Sequence, residues 1–324
     1  MTDPLTILPG TWRGLGATII TGPRLRVVVT TIGAHVASIR SPRTAIEPLW
    51  QPPWAAVAPE SAGPAHGGEA ERRLLATIVG SNLCLDRFGA PWPGESRPLH
   101  GEAGAVCWRC RAEPCRAVFT ARLPEAGLDV ERAISLIGDE VVLATTVRHA
   151  GAAPRAVEWC EHTTLGGGFL DGALATAGVD AAWTAPWPED PLQRVPGAPL
   201  TRCAPAAALA IPQPGDRPCG DVMTARTAAG WWRVANPRLG WAFSAAFNPE
   251  EFPWLALWTE FHGRTGAPWN GLGRTRGMEL STKPFPEGQP PAERAQVFAD
   301  RPTRCLVPAG AGRTHTVRFR WAPL

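Results

Sequence analysis

The sequence predicts an all-β protein, a large antiparallel β-sandwich with few short helices. Three observations carry that expectation. Thirty-four glycines and 35 prolines, about a fifth of the 324 residues, are spread along the whole chain. Such frequent punctuation interrupts helices and favours many short strands joined by turns. Several segments alternate apolar and polar residues with a period of two, the signature of half-buried strands. Segments with apolar residues at a helical spacing are few.

The clearest pair of strands runs from Leu128 to His149. Leu128, Val130, Ile134 and Leu136 share one face, Gly138-Asp139 supplies a turn, and Val141, Leu143 and Val147 share a face on the way back. Two alternating runs separated by a Gly-containing dipeptide form a hairpin. At the C-terminus His315, Val317, Phe319 and Trp321 alternate with Thr314, Thr316, Arg318 and Arg320, which reads as a half-buried final strand. Further strands are expected over Leu25–Thr31, Val36–Ile39, Val118–Leu123, Arg155–Thr164, Trp231–Val234, Trp241–Phe247, Trp254–Phe261 and Gly277–Thr282. A helix of about three turns is expected over Glu69–Val79. A shorter one is expected over Pro291–Phe298, with proline near its start. The Pro/Ala-rich stretches Pro52–Gly68 and Pro186–Pro218 read as long surface excursions. Without internal repeats or a dividing linker, residues 1–324 read as one domain of two packed sheets.

Composition narrows the function classes. A net charge of +3 gives no basis for a nucleic-acid surface. Lys283 is the only lysine and tyrosine is absent, a bias of the kind a GC-rich genome imposes. No run approaches the roughly 18 apolar residues of a membrane helix. Met1 to Gly10 lacks the basic and apolar regions of a signal peptide. A cytoplasmic protein with no membrane partner is expected, its eight cysteines as reduced thiols. Cys107-x2-Cys110-x4-Cys115 lacks a second close ligand pair, so no metal is expected there.

Three stretches stand out chemically. Pro98-Leu99-His100-Gly101-Glu102 follows a turn-rich run and places an imidazole at a loop or strand end. In Glu158-Trp159-Cys160-Glu161-His162-Thr163, a strand would turn Glu158, Cys160 and His162 to one face and Trp159 and Glu161 to the other. The third, from Trp254 to Gly288, contains Trp258-Thr259-Glu260, Pro268-Trp269-Asn270-Gly271 and Gly277-Met278-Glu279-Leu280. Trp258, Glu260 and His262 would share a strand face.

These motifs, in this order, resemble those of the aldose 1-epimerase (galactose mutarotase-like) family over roughly residues 20 to 320. Leu99-His100-Gly101 is similar to the family's Leu-His-Gly, and Glu161-His162 stands at its second histidine. Glu279 with Pro284 resembles its glutamate–proline spacing, and Gly33-Ala34-His35-Val36-Ala37-Ser38-Ile39 its early strand. Pro268-Trp269-Asn270-Gly271 is similar to a Pro-Trp-x-Gly loop of several branches. The chain departs from the pattern at two places. Asp86-Arg87 stands in for an Asn-Arg pair, and Ser281-Thr282-Lys283 replaces a Thr-Gln-Asn-like run.

The resemblance implies a galactose mutarotase-like supersandwich and interconversion of the anomers of a free or modified monosaccharide, with no cofactor. Glu279 is then the general base and His162 the general acid, while His100 bonds a ring hydroxyl or steadies charge on the ring oxygen. Arg87, Glu260, Trp258 and Trp269 are the expected substrate-binding residues, the indoles stacking on the sugar. A non-catalytic sugar-binding protein on the same scaffold is the alternative. Hydrolysis would need a second carboxylate at about 5–10 Å, for which Glu260 or Glu161 are the candidates. Lys283 and Arg276, flanking Glu279, leave a phosphosugar or sugar acid open as substrate.

Overall fold

Eighteen strands and three helices of at most six residues make up the described part of the chain. The computed structural model describes residues 4–187, 190–194 and 200–324. An antiparallel meander opens it: β1 (Thr6–Trp12), β2 (Leu15–Thr21), β3 (Arg26–Thr30) and β4 (Val36–Arg40). One helical turn, α1 (Arg72–Leu75), leads into β5 (Ser81–Asp86). A second meander comprises β6 (Arg109–Glu113), β7 (Arg116–Leu123), β8 (Leu128–Ile137) and β9 (Glu140–His149). Next come β10 (Arg155–Gly166), β11 (Leu174–Trp183), the two-residue β12 (Arg202–Cys203) and α2 (Pro205–Leu209). A third run follows: β13 (Cys219–Asn236), β14 (Trp241–Phe247), β15 (Trp254–Phe261) and β16 (Arg274–Ser281). The last elements are α3 (Ala292–Val297), β17 (Cys305–Val307) and β18 (Gly312–Pro323).

The pairings divide these strands into two layers that share one strand. In the first, β5 pairs with β10, β10 with β16, β16 with β15, and β15 with residues 219–226 of β13. In the second, β6 to β9 pair in sequence, β9 pairs with β18, β18 with β14, and β14 with residues 231–236 of β13. The bend in β13 falls between these halves, and β11 follows it with register shifts around Val179. Gly230 sits at the bend because a Cβ there would lie 1.8 Å from the carbonyl oxygen of Phe247. The expected hairpin is found as β8–β9, with Ile137 opposite Glu140 and Gly138 at φ 60°. A glycine at positive φ in the first turn position fits the twist of a two-residue hairpin loop.

The core lies between the layers. Valines, leucines and aromatics fill it, including Trp159, Trp232, Phe243, Phe319 and Trp321. β10 sends alternate residues into it, so Trp159 stacks on His315 of β18 with ring centroids 4.2 Å apart. Glu161 points the same way and meets two polar partners from the second layer. Arg132 Nη2 donates to Glu161 Oε2 at 3.1 Å and Thr145 Oγ1 donates to Oε1 at 2.9 Å. Arg132 and Glu161 are fully buried. An ion pair placed so deeply fixes how the layers sit against each other, since each charge tolerates burial only beside the other.

Two expectations need correction. The helix expected over Glu69–Val79 is confined to Arg72–Leu75. Beyond it the backbone is drawn into other pairings: Ala76 O accepts from Val57, Gly80 N–H donates to Trp50 O, and Gly80 O accepts from Thr164. The excursion Pro52–Gly68 carries two 3-10 turns, but its Trp54 packs against Trp50 and Trp269 rather than lying free on the surface. Parts of Pro186–Pro218, residues 188–189 and 195–199, lie outside the described residues. No described helix is long and apolar enough to cross a membrane.

Replacing Glu161 with alanine leaves the Arg132 guanidinium buried without its carboxylate. A loss of about 3–5 kcal/mol in unfolding free energy is expected, measured by urea denaturation. A loss below about 1 kcal/mol would show that the pair does not brace the layers.

Candidate active site

The outer face of the first layer carries the site. Because facing residues in an antiparallel pair project to the same side, register alone decides which side chains meet. Asn82, His162, Glu279, Ala256 and Thr224 form one row across β5, β10, β16, β15 and β13. His162 and Glu279 are direct neighbours in that row, with His162 Nε2 3.2 Å from Glu279 Oε1. The face assignment expected for β10 holds, since Glu158, Cys160 and His162 lie on this side and Trp159 and Glu161 on the core side. Small residues open the floor beside the pair. At Gly277 a Cβ would stand 2.2 Å from Glu279 Oε1 and 2.9 Å from the Cβ of Trp258, so only glycine leaves the carboxylate room.

His100 arrives from a loop pinned to the end of β5. Its N–H donates to Gly89 O at 2.9 Å, and its carbonyl accepts from Leu85 N–H at 3.2 Å. The Gly89 N–H donates to His100 Nδ1 at 3.0 Å. Nδ1 is therefore the acceptor of the ring, which leaves the proton of the neutral imidazole on Nε2. The His100 ring stacks on Phe88 and meets the His162 ring edge-on, with centroids 5.4 Å apart.

His100, His162 and Glu279 line one cavity of about 280 Å³, close to the lower size of small-molecule sites, roughly 300 Å³. Trp258 and Trp269 make one wall, backed by Trp50 and Trp54. Trp50 stacks on Trp269 at 5.4 Å with ring planes 8° apart, and Trp54 and Trp258 meet them edge-on. The Arg264 guanidinium lies 5.1 Å from the Trp269 ring centroid and 5.9 Å from that of Trp258. Leu74, Leu75 and Ile78, from α1 and the turn after it, pack against this wall. Across the opening stand Trp187, Asp190 and Gln193 of the excursion that precedes β13.

Burial sets the charge states. It holds His162 down to about 4 and His100 well below the usual imidazole value, so both rings are neutral at pH 7. It pushes the Glu279 carboxyl well above the usual carboxylate range, against the opposing pull of the Arg276 charge. Arg276 projects from the other face of β16, where its Nη1 donates to Thr259 Oγ1 at 3.0 Å and its Nη2 to Ala208 O at 2.6 Å.

Other expected site residues are placed differently. Trp258 and Trp269 line the cavity. Arg87 does not: its Nε donates to Glu95 Oε2 at 2.7 Å and its guanidinium lies over Trp92. Residue 87 falls just past the end of β5, where Glu95 captures it. Glu260 is fully buried one step behind the wall, its Oε1 accepting from the N–H groups of Gly263 and Arg264 at 2.9 Å each. It shapes the turn that lays Arg264 on the tryptophans. His262 Nδ1 lies 2.7 Å from Gly271 O, away from the cavity. Trp50, Trp54, Arg264 and Asn82 were not expected. The first three carry no motif signal; Asn82 is betrayed only by lying opposite His162, which requires the strand pairing to be known.

No protein-family model and no curated protein sequence matches the chain. Solved structures do. A candidate mutarotase from Salmonella typhimurium superposes with a TM-score of 0.66 at 12% identity, covering 99% of this chain and 96% of that one. A candidate aldose 1-epimerase from Klebsiella pneumoniae gives 0.67 at 15% identity, covering 96% of this chain and 81% of that one. A galactose mutarotase-like protein from Clostridium acetobutylicum gives 0.65 at 8% identity, covering 99% of each. The resemblance read from the motifs is thus met by a shared architecture over nearly the whole length, and the chain has the galactose mutarotase-like fold.

Proposed function

We propose that the chain is an aldose 1-epimerase-like isomerase, which interconverts the anomers of a monosaccharide by opening and reclosing its ring. One observation carries the reading: a carboxylate and an imidazole stand 3.2 Å apart in register, at the floor of a cavity walled by tryptophan and faced by a second imidazole. The fold shared with mutarotase-like proteins supports it.

The chemistry needs one proton that can pass between the two groups across the 3.2 Å that separates them. Burial favours the carboxylic acid form of Glu279 and the neutral imidazole of His162. Passing the proton from Glu279 to His162 gives a carboxylate and an imidazolium. A carboxylate whose pKa is raised is a stronger base once ionised, and an imidazolium whose pKa is lowered is a stronger acid once protonated. Glu279 then takes the proton of the C1 hydroxyl, the electron pair forms the C1 carbonyl, the bond from C1 to the ring oxygen breaks, and His162 protonates that oxygen. Rotation about C1–C2 and the reverse steps give the other anomer and restore the pair. His100, holding its proton on Nε2, donates to a ring hydroxyl or to the ring oxygen as charge develops. Trp269 is buried and stacked on Trp50, whereas Trp258 is half-buried, so Trp258 is the better stacking platform.

The carboxylates that hydrolysis would call upon are engaged elsewhere, Glu161 with Arg132 between the layers and Glu260 with the Gly263–Arg264 turn. Arg264 is the one cation among the described cavity residues, beside Glu71, Asp190 and Asp221, so an uncharged sugar is the better fit.

Glu279→Gln is expected to slow mutarotation of the preferred aldose roughly 100- to 10,000-fold, followed by polarimetry or NMR exchange. Unchanged turnover in a folded variant would refute the assignment. For Trp258→Ala a raised KM with a smaller change in kcat is expected.

The histidine states are independently measurable. In ¹H–¹⁵N spectra the His162 ring is expected to stay uncharged from pH 8 down to about 5, since its folded value is about 4 against 6.5 for the free side chain. The unfolded chain takes up that proton first. His162 therefore contributes stability that is complete above about pH 6.5 and is lost as pH falls toward 4. Glu279, shifted the other way, contributes most at low pH and loses its contribution as pH rises through its folded value. A His162 midpoint near 6.5 would contradict the buried, neutral ring.

A further inference from the structure

A second cavity, of about 580 Å³, shares segment 284–288 with the first. Its floor is apolar, made by Pro284, Pro290, Ala295 and Phe298. Its charged lining carries four cations, Lys283, Arg294, Arg301 and Arg304, against two carboxylates, Glu158 and Glu287. Two of the cations are spent: Lys283 Nζ is held by Glu158 Oε2 at 3.2 Å and by the carbonyls of Glu287 and Gly288, and Arg294 pairs with Glu287 Oε2 at 2.9 Å. Arg301 and Arg304 are different. Among the described residues no carboxylate comes within ion-pair distance of either. Arg304 is spread over the ring of Trp92 at 4.1 Å, and the same ring takes the Arg87 guanidinium at 4.9 Å.

We propose that this crevice is a second ligand site, which takes a small organic anion: a phosphate or carboxylate group carried on a compact apolar body. The charged group sits between Arg301 and Arg304, where a planar guanidinium donates two hydrogen bonds at once to an oxyanion. The apolar body lies on the proline, alanine and phenylalanine floor, in the manner of small-molecule sites that combine an apolar lining with a few placed polar groups. Lys283 stays with Glu158 and shapes the inner wall rather than binding. In the shared segment, Pro286 lines the first cavity and Pro284 and Glu287 line the second.

The probe is phenyl phosphate, titrated by calorimetry into the full chain at constant ionic strength, with inorganic phosphate in parallel. Saturable one-to-one binding of phenyl phosphate is expected, with inorganic phosphate at least about tenfold weaker because it cannot use the apolar floor. The Arg301→Gln/Arg304→Gln double variant is expected to lose about tenfold or more in affinity for phenyl phosphate, while Glu279→Gln and Arg264→Gln bind it as the native chain does. Arg304→Gln alone, at an exposed side chain, is the substitute if the double variant does not fold, and it too is expected to weaken binding. The proposal is overturned by any of three results: no saturable binding, affinity unchanged by loss of the arginines, or affinity lost on substitution of Glu279 or Arg264. The last would put the ligand in the first cavity. Inorganic phosphate binding as tightly as phenyl phosphate would equally overturn an organic ligand.

Discussion

Everything at the site depends on the register of β10 between β5 and β16. Side chains alternate along a strand, so sliding β10 by one residue would send His162 into the core and bring Glu161 out to the cavity. Hydrophobicity alone would resist such a slip weakly, because β10 is buried on both faces and polar on both. What forbids it is the pairing of specific polar groups. On one face Glu161 must reach Arg132 and Thr145 across the layers. On the other Glu158 must reach Lys283 and the N–H of Phe88. The charges that flank the site thus act as pins that hold His162 opposite Glu279.

The same burial that aligns the pair also sets its chemistry. His100 and His162 lie in surroundings that disfavour a positive charge, and Glu279 in surroundings that disfavour a negative one. Burial thus favours the uncharged form of each of the three groups. Among the described residues no Arg or Lys side chain pairs with Glu279 directly. Arg276 acts on it from the far face of its strand, too far round to bond it, and only moderates the shift.

Much of the architecture was legible because a period of two and turn glycines report local structure directly. The β8–β9 hairpin, β14 and β15 fall where the alternation puts them. β1, β2, β6, β11, β12 and β17 escaped notice, and so did two strands next to the site. β5, Ser81-Asn82-Leu83-Cys84-Leu85-Asp86, is buried on both faces with polar residues on each, so its alternation does not read as inside and outside. The first half of β13 mixes Gly220, Asp221 and Thr224 with apolar residues, so it shows no clean alternation, and Gly220, Asp221 and Val222 line the cavity. At the site, His100, His162 and Glu279 were found by motif, and the structure brings them together. Arg87 and Glu260 stood at plausible sequence positions yet turn to other partners. No sequence pattern could foresee that Glu95 would seize Arg87, nor that Trp50 would be the centre of the aromatic wall, since both result from contacts between distant segments.

The hydrogen-bond ladder that spaces His162 from Glu279 has a further meaning for descent. Neither residue is positioned by a loop, whereas much of the lining around them, with Asp190, Arg264 and Pro286, comes from loops. Inheritance can therefore act on the two parts separately. Changing a rim segment alters what the cavity admits, while the acid–base pair stays where the β10–β16 ladder holds it. For an engineer the same separation marks out the graftable part of the molecule: the three rim segments, with the β10–β16 ladder left as the chassis.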